Sequence, residues 1–204
     1  ARACRGLFRA FKCMGGVAAI RESSRRRILH ILAATSNRKE GHIVETKRIA
    51  LVTGANKGIG FEIARQLAEA GVTVRIGARN LERGKSAAET LSLAGLSAEY
   101  IKIDLKDEAS IAAAAEEIAA KHERLDILVN NAGIVDAADG PPSAASTTAA
   151  RRIMETNFIG TLAVTQAMLP LLRNSQAGRI VNLATTLGSL TINGDPSSPY
   201  YASR

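Results

Sequence analysis

The chain has 204 residues, 46% of them apolar and 23% charged, which is enough to bury one sizeable core and too apolar for a disordered polymer. No apolar run approaches the length that spans a bilayer, which argues against a membrane-spanning role. The net charge of +8 does not describe a basic binding surface on the body: residues 1–47 carry 11 Lys/Arg against 3 Asp/Glu, whereas residues 48–204 carry 16 of each, so the whole excess lies in an N-terminal arm.

That arm, residues 1–47, reads as a unit separate from the body at 48–204. Read as a helix over residues 2–12, it places Arg2, Arg5, Arg9 and Lys12 on one face and Cys4, Leu7, Phe8 and Phe11 on the other, the spacing of an amphipathic helix. Its first acidic residue is Glu22. This composition resembles an organelle transit peptide and also suits a membrane surface. An incidental or disordered extension fits equally, since the first residue is not Met. The expected location is cytoplasmic, with targeting through the arm as the alternative. Few aromatics accompany the basic cluster, so nucleic acid ranks last among partners. Both cysteines, Cys4 and Cys13, lie in the arm, which leaves the body without a disulfide framework or a thiol nucleophile. His30, His42 and His122 lack the spacing of a metal-ligand set.

The body begins with IALVT (49–53), a short apolar run suited to a strand buried on both faces. GANKGIG follows, then FEIARQLAEAG, a helix with Ile59, Ile63, Ala64 and Leu67 on one face and Gly71 as its stop. VTVRI (72–76), AEYIKID (98–104), DILV (126–129) and GRIVNL (178–183) read as further strands. LERGKSAAETLSLAG and DEASIAAAAEEIAAKH read as helices, and one long helical stretch runs from about Ala145 to Asn174. GPPSAASTTAA (140–150) is a Pro/Ser-rich loop without evident chemistry. Strands alternating with helices predict an α/β fold: a doubly wound parallel sheet of the Rossmann type.

The first strand-to-helix connection carries the strongest chemical signal. In TGANKGIG, from Thr53 to Gly60, glycines allow a backbone to approach a phosphate and leave amide donors free at a helix N-terminus. Gly54, Asn56, Lys57, Gly58, Ile59 and Gly60 are therefore cofactor-binding candidates. An NAD site places a carboxylate after the second strand, to bind the ribose 2′-hydroxyl. Here that stretch reads Gly77, Ala78, Arg79, with Lys57 inside the glycine loop. Two cations and no acid suit a 2′-phosphate, so the expected cofactor is NADP(H). Asp104, with Leu105 beside it, ends the third strand where a carboxylate reaches the adenine; the alternative is that Asp104 caps the next helix.

Taken together, TGANKGIG, VNNAG (129–133), ETNFIGTLAVTQAMLPLL and GRIVNL resemble the short-chain dehydrogenase/reductase family, in its NADPH-dependent, carbonyl-reductase-like branch, over residues 48 to 204. The resemblance implies hydride transfer to an aldehyde or ketone, a small-molecule carbonyl substrate. It places Asn131, Ala132 and Gly133 along the cofactor and at the centre of the sheet. It makes Asn157 the helix asparagine that helps hold a water in the proton relay. It puts Thr185, three residues before Gly188, at the position of the catalytic serine; the hydroxyl is kept, while the extra methyl restricts its rotamer.

In the same family a tyrosine protonates the substrate oxygen and a lysine four residues later lowers the tyrosine's pKa and bonds the nicotinamide ribose. PYYASR offers Tyr200 with Arg204 in the lysine's place, and an arginine stays charged but relays protons poorly. Two readings stay open. In one, Tyr200 is the acid and Arg204 its cationic partner at the cofactor. In the other, favoured by Pro196, Pro199 and the serines between them, the segment is a loop before a later Tyr-x-x-x-Lys. Either way the resemblance implies a chain that stops short of the family's full length. It implies a homo-oligomer only for a longer form, and it leaves a cofactor-binding but inactive protein as the alternative.

Overall fold

In the computed structural model, the structure describes residues 47–140 and 143–198. Five strands form one parallel sheet: β1 (Ile49–Thr53), β2 (Thr73–Ala78), β3 (Ala98–Lys102), β4 (Ile127–Asn130) and β5 (Arg179–Asn182), in the spatial order β3-β2-β1-β4-β5. The chain winds outward from β1 to β3, then returns to the other side of β1 for β4. Pairing runs through Thr53↔Gly77 and Val52↔Val129, so the ends of β1, β2 and β4 open side by side. A sheet of this order has its switch point between β1 and β4, where ligands of open α/β folds sit. The doubly wound fold expected from the sequence is thus observed.

Successive residues of β1 feed two cores. Ala50 and Val52 pack with Val74, Ile76, Leu67 and Leu91, beneath helices α1 (Gly58–Glu69) and α2 (Leu81–Leu93). Ile49 and Leu51 pack with Ile101, Ile118, Leu128 and Met168. That second face is covered by α3 (Glu108–His122) and by α5 (Thr161–Arg173), which follows α4 (Thr147–Met154). The strand period of two divides the side chains between the faces, and β1 is apolar throughout because both faces are covered.

The stretch read as one helix from Ala145 to Asn174 is broken in register. Between α4 and α5 the residues Glu155–Gly160 form a π-helical turn. Tertiary contacts account for it: Gly160 lies so close to the Leu105 carbonyl that a Cβ there would overlap it, and Asn157 is tied to Ile134. Insertions of this kind concentrate at functional sites. The predicted fourth and fifth strands shift by only a residue or so, while the third ends at Lys102, short of Asp104. After β5 come a 3₁₀ turn at Thr186–Gly188 and a short helix, α6 (Leu190–Gly194). Among the described residues no helix is long and apolar enough to cross a membrane, and no cluster of His, Cys, Asp or Glu could hold a metal ion.

Candidate active site

The glycine loop sits at the carboxyl end of β1, held in shape by its neighbours. Gly54 has φ of 66° and Gly58 φ of 59°, a left-handed backbone that glycine adopts without cost. Asn131 stands behind the loop and donates from Nδ2 to Thr53 O at 2.9 Å and Gly54 O at 3.3 Å. Thr53 Oγ1 in turn accepts from the amides of Asn131 and Ala132, each at 3.0 Å. Ala132 lies against Gly54, where an added Cβ would come within 3.0 Å of its Cα. The strand ends are therefore laced by polar bonds that leave the outer side of the loop open.

The loop leads into a helix with an uncommitted N-terminus. Asn80 caps α2, accepting from Arg83 N at 2.9 Å, and Asp107 caps α3, accepting from Ala109 N and Ser110 N. By contrast, Lys57 gives α1 no side-chain cap, and the first turn of α1 holds no acid. Amides left in this state, at the positive end of the helix dipole, are suited to a phosphate. Lys57 and Gly58 are exposed; Asn56 and Ile59 are half-buried. Asn56 and Lys57 also line a groove of ≈ 590 Å³ with Phe61, Arg83 and Ser86.

At the end of β2, Arg79 is exposed and directly follows Ala78, which neighbours the glycine loop through the Thr53↔Gly77 pairing. No Asp or Glu lies between Gly77 and Leu81. Arg83, one turn into α2, joins Lys57 at the groove. The sequence reading passed over it, although its place four residues after Arg79, on a helix just begun, was a usable signal. Asp104 does not cap α3; Asp107 does, because it stands one residue before Glu108, the first residue of the helix. Asp104 instead accepts from Lys106 N at 3.1 Å in a local turn and stays half-buried. Leu105 is buried in the second core, with its carbonyl close against Gly160.

On the other side of the switch point, Asn157 is exposed, and both polar atoms of its side chain engage Ile134. Oδ1 accepts from Ile134 N at 2.8 Å and Nδ2 donates to Ile134 O at 2.9 Å. The π-helical turn thereby holds the Gly133–Ile134 segment, and a Cβ on Gly133 would approach Asn157 Oδ1 to 3.5 Å. Asn130, also overlooked in the sequence, is buried and donates to Thr165 Oγ1 at 3.0 Å and Asn182 Oδ1 at 2.8 Å. That joins the ends of β4 and β5 to α5. Thr185 follows β5 in an exposed position, its carbonyl accepting from Gly188 N at 3.1 Å. Tyr200 and Arg204 lie outside the described residues, as do residues 1–46 of the arm and Pro141 and Pro142 of the loop.

Comparison with known proteins matches these features to a family. A short-chain dehydrogenase of Penicillium roqueforti is 41% identical over 161 residues, covering 77% of this chain and 63% of its own length. The NADPH carbonyl reductase 1 of Sus scrofa is 41% identical over 148 residues, covering 72% of this chain and 50% of its own length. The chain thus spans about half to three-fifths of these relatives. Among solved structures, a gluconate 5-dehydrogenase of Burkholderia cenocepacia, bound to NADP and tartrate, superposes with a TM-score of 0.66 at 34% identity, over 76% of this chain and 60% of that one. The sequence model described as short chain dehydrogenase matches residues 48–204, the sheet and site together, and the chain belongs to that family.

Proposed function

We propose that this chain binds NADP(H) across the carboxyl ends of β1, β2 and β4, and that the protein reduces the carbonyl of an aldehyde or ketone to an alcohol. One observation carries the reading: an uncapped helix N-terminus behind a glycine loop, with Lys57, Arg79 and Arg83 nearby and no carboxylate at the end of β2. The phosphates fit the open amides of the loop and the first turn of α1. A 2′-phosphate fits the cations, where an acid would repel it. The relatives, an NADPH carbonyl reductase and an NADP-bound dehydrogenase, point the same way.

When bound, the reduced nicotinamide supplies a hydride to the carbonyl carbon. The Thr185 hydroxyl donates to the carbonyl oxygen, where negative charge develops. In the reading that makes Tyr200 the acid, its phenol gives that oxygen its proton, with Arg204 as the cation in the lysine's place. Asn157 keeps Gly133–Ile134 in place beside the reacting groups. Incubating the protein with NADPH and a panel of aldehydes and ketones, and following the loss of the dihydronicotinamide absorbance, tests the chemistry. Tyr200→Phe should lower kcat by about a hundredfold or more if Tyr200 is the proton donor. An unchanged kcat would move that role to another tyrosine.

A second reading, cofactor binding without turnover, rests on Thr185 in the serine position and Arg204 in the lysine position. Saturable NADPH binding with no consumption across the panel would establish it.

A further inference from the structure

The last peptide of β2 is held from outside the cofactor loop. Tyr100, on edge strand β3, pairs with Ile76 in register, and its Oη donates to the carbonyl of Ala78 at 3.2 Å. The same carbonyl accepts from Ile103 N at 3.2 Å. A carbonyl and the following N–H belong to one rigid plane. Two donors, one from β3 and one from the residue just after it, therefore fix the Ala78–Arg79 peptide, and with it the direction in which Arg79 leaves the sheet.

The phenol ring fixes a second cation. It lies over Gly84 so closely that a Cβ there would overlap Cδ2 and Cε2 of the ring. Glycine is a poor helix residue, and this contact explains its presence in the first turns of α2. Gly84 N donates to Asn80 O at 3.0 Å, and Arg83 N to Asn80 Oδ1 at 2.9 Å, so the ring settles the turn that carries Arg83. Burial, and then the nearby Glu117 carboxylate, push the Tyr100 hydroxyl above the ordinary phenol range, so it stays a donor. The described bonds that hold Gly54 come instead from Asn131.

We propose that Tyr100 is a positioning residue for the 2′-phosphate end of the cofactor site, setting the choice of NADPH over NADH through the Ala78–Arg79 peptide and the first turn of α2. The inference rests on the NADP(H) reading above. Calorimetric titration of the full chain and of Tyr100→Phe with NADPH and with NADH separates the two. Tyr100→Phe keeps the ring on Gly84 and loses one hydrogen bond, so the Kd for NADPH should rise about threefold to tenfold while that for NADH stays unchanged. Gly84→Ala, which drives the ring off its seat, should shift the same ratio in the same direction. A purely structural role would weaken both nucleotides together, or lower the melting temperature with the ratio intact, and either result overturns the inference. If the parent chain prefers NADPH and Tyr100→Phe keeps that preference in full, this inference alone falls. If the parent binds neither nucleotide, the cofactor reading falls with it.

Discussion

Gly60 has no room for a side chain. A Cβ there would overlap Asn131 Nδ2 and stand 2.6 Å from the Gly54 carbonyl, so the first helix can approach the strand ends only with glycine at this position. Gly60→Ala should push α1 outward, costing about 1–3 kcal/mol of stability and most of the nucleotide affinity; a thermal melt beside an NADPH titration reads both. Arg79→Glu acts on charge rather than space. It should weaken NADPH binding by about tenfold to a hundredfold, the worth of a charged hydrogen bond, while NADH is spared. Arg83→Ala should follow in the same direction with a smaller effect. Of these residues, Gly54, Lys57, Gly60 and Arg79 were legible because the loop chemistry fixes their distance from a strand end. Arg83 and Asn130 were not, because their significance lies in what they face: a groove in one case, two side chains far along the sequence in the other.

The strands and most helices could be read directly, since covered strands make short apolar runs and covered helices repeat every three to four residues. The π-helical turn could not. RRIMETNFIGTLAVTQAM keeps a helical pattern throughout, and the change of register comes from Gly160 against Leu105 and Asn157 against Ile134, contacts that periodicity does not encode. The Asp104 question had the same source: strand β3 ends earlier than its apolar pattern, and the cap passes to Asp107. The joint between β4, β5 and α5 is likewise tertiary. Asn130→Leu removes the side-chain donor shared by Asn182 and Thr165, leaving both acceptors without that partner. A loss of about 1–3 kcal/mol in a denaturant titration is expected; an unchanged midpoint would show that the joint contributes nothing.

Among the described residues one charge is buried completely. Arg75, in the middle of β2, is 0% exposed and bonds Glu99 Oε2 at 2.6 Å and Glu117, with Lys121 closing the group at 3.3 Å from each glutamate. VTVRI gave no sign of it, because an arginine at that place in an alternating strand looks solvent-facing. Burial raises the pKa of Glu99, but Arg75 and Lys121, with His122 beside them, outweigh it and hold the carboxyl below its ordinary range. Glu62 is lowered too, chiefly by its bond to Arg65. A depressed carboxylate contributes stability above its unfolded value, near about 4.3, and loses it as pH falls through the folded value. The carboxylate share of the melting temperature should therefore hold steady above that pH and drop below it, and Glu99→Gln should flatten the acid limb. An earlier loss, below about 6.5, comes from His122, whose imidazole burial holds below its ordinary range. The N-terminal arm belongs to a different account. Since the basic excess is confined to residues 1–47, deleting residues 1–46 should leave the NADPH Kd unchanged and lower any salt-dependent retention on an anionic surface.

Selection of a 2′-phosphorylated dinucleotide by the loop at the end of β1 and the cations around it underlies the proposed function. Titrating the chain with NADPH and with NADH, by calorimetry at fixed ionic strength, addresses it most directly. NADPH should bind tighter by at least about tenfold, the worth of one charge-assisted contact, and Arg79→Glu should erase the preference. Equal affinities, a preference for NADH, or no binding of either would contradict it.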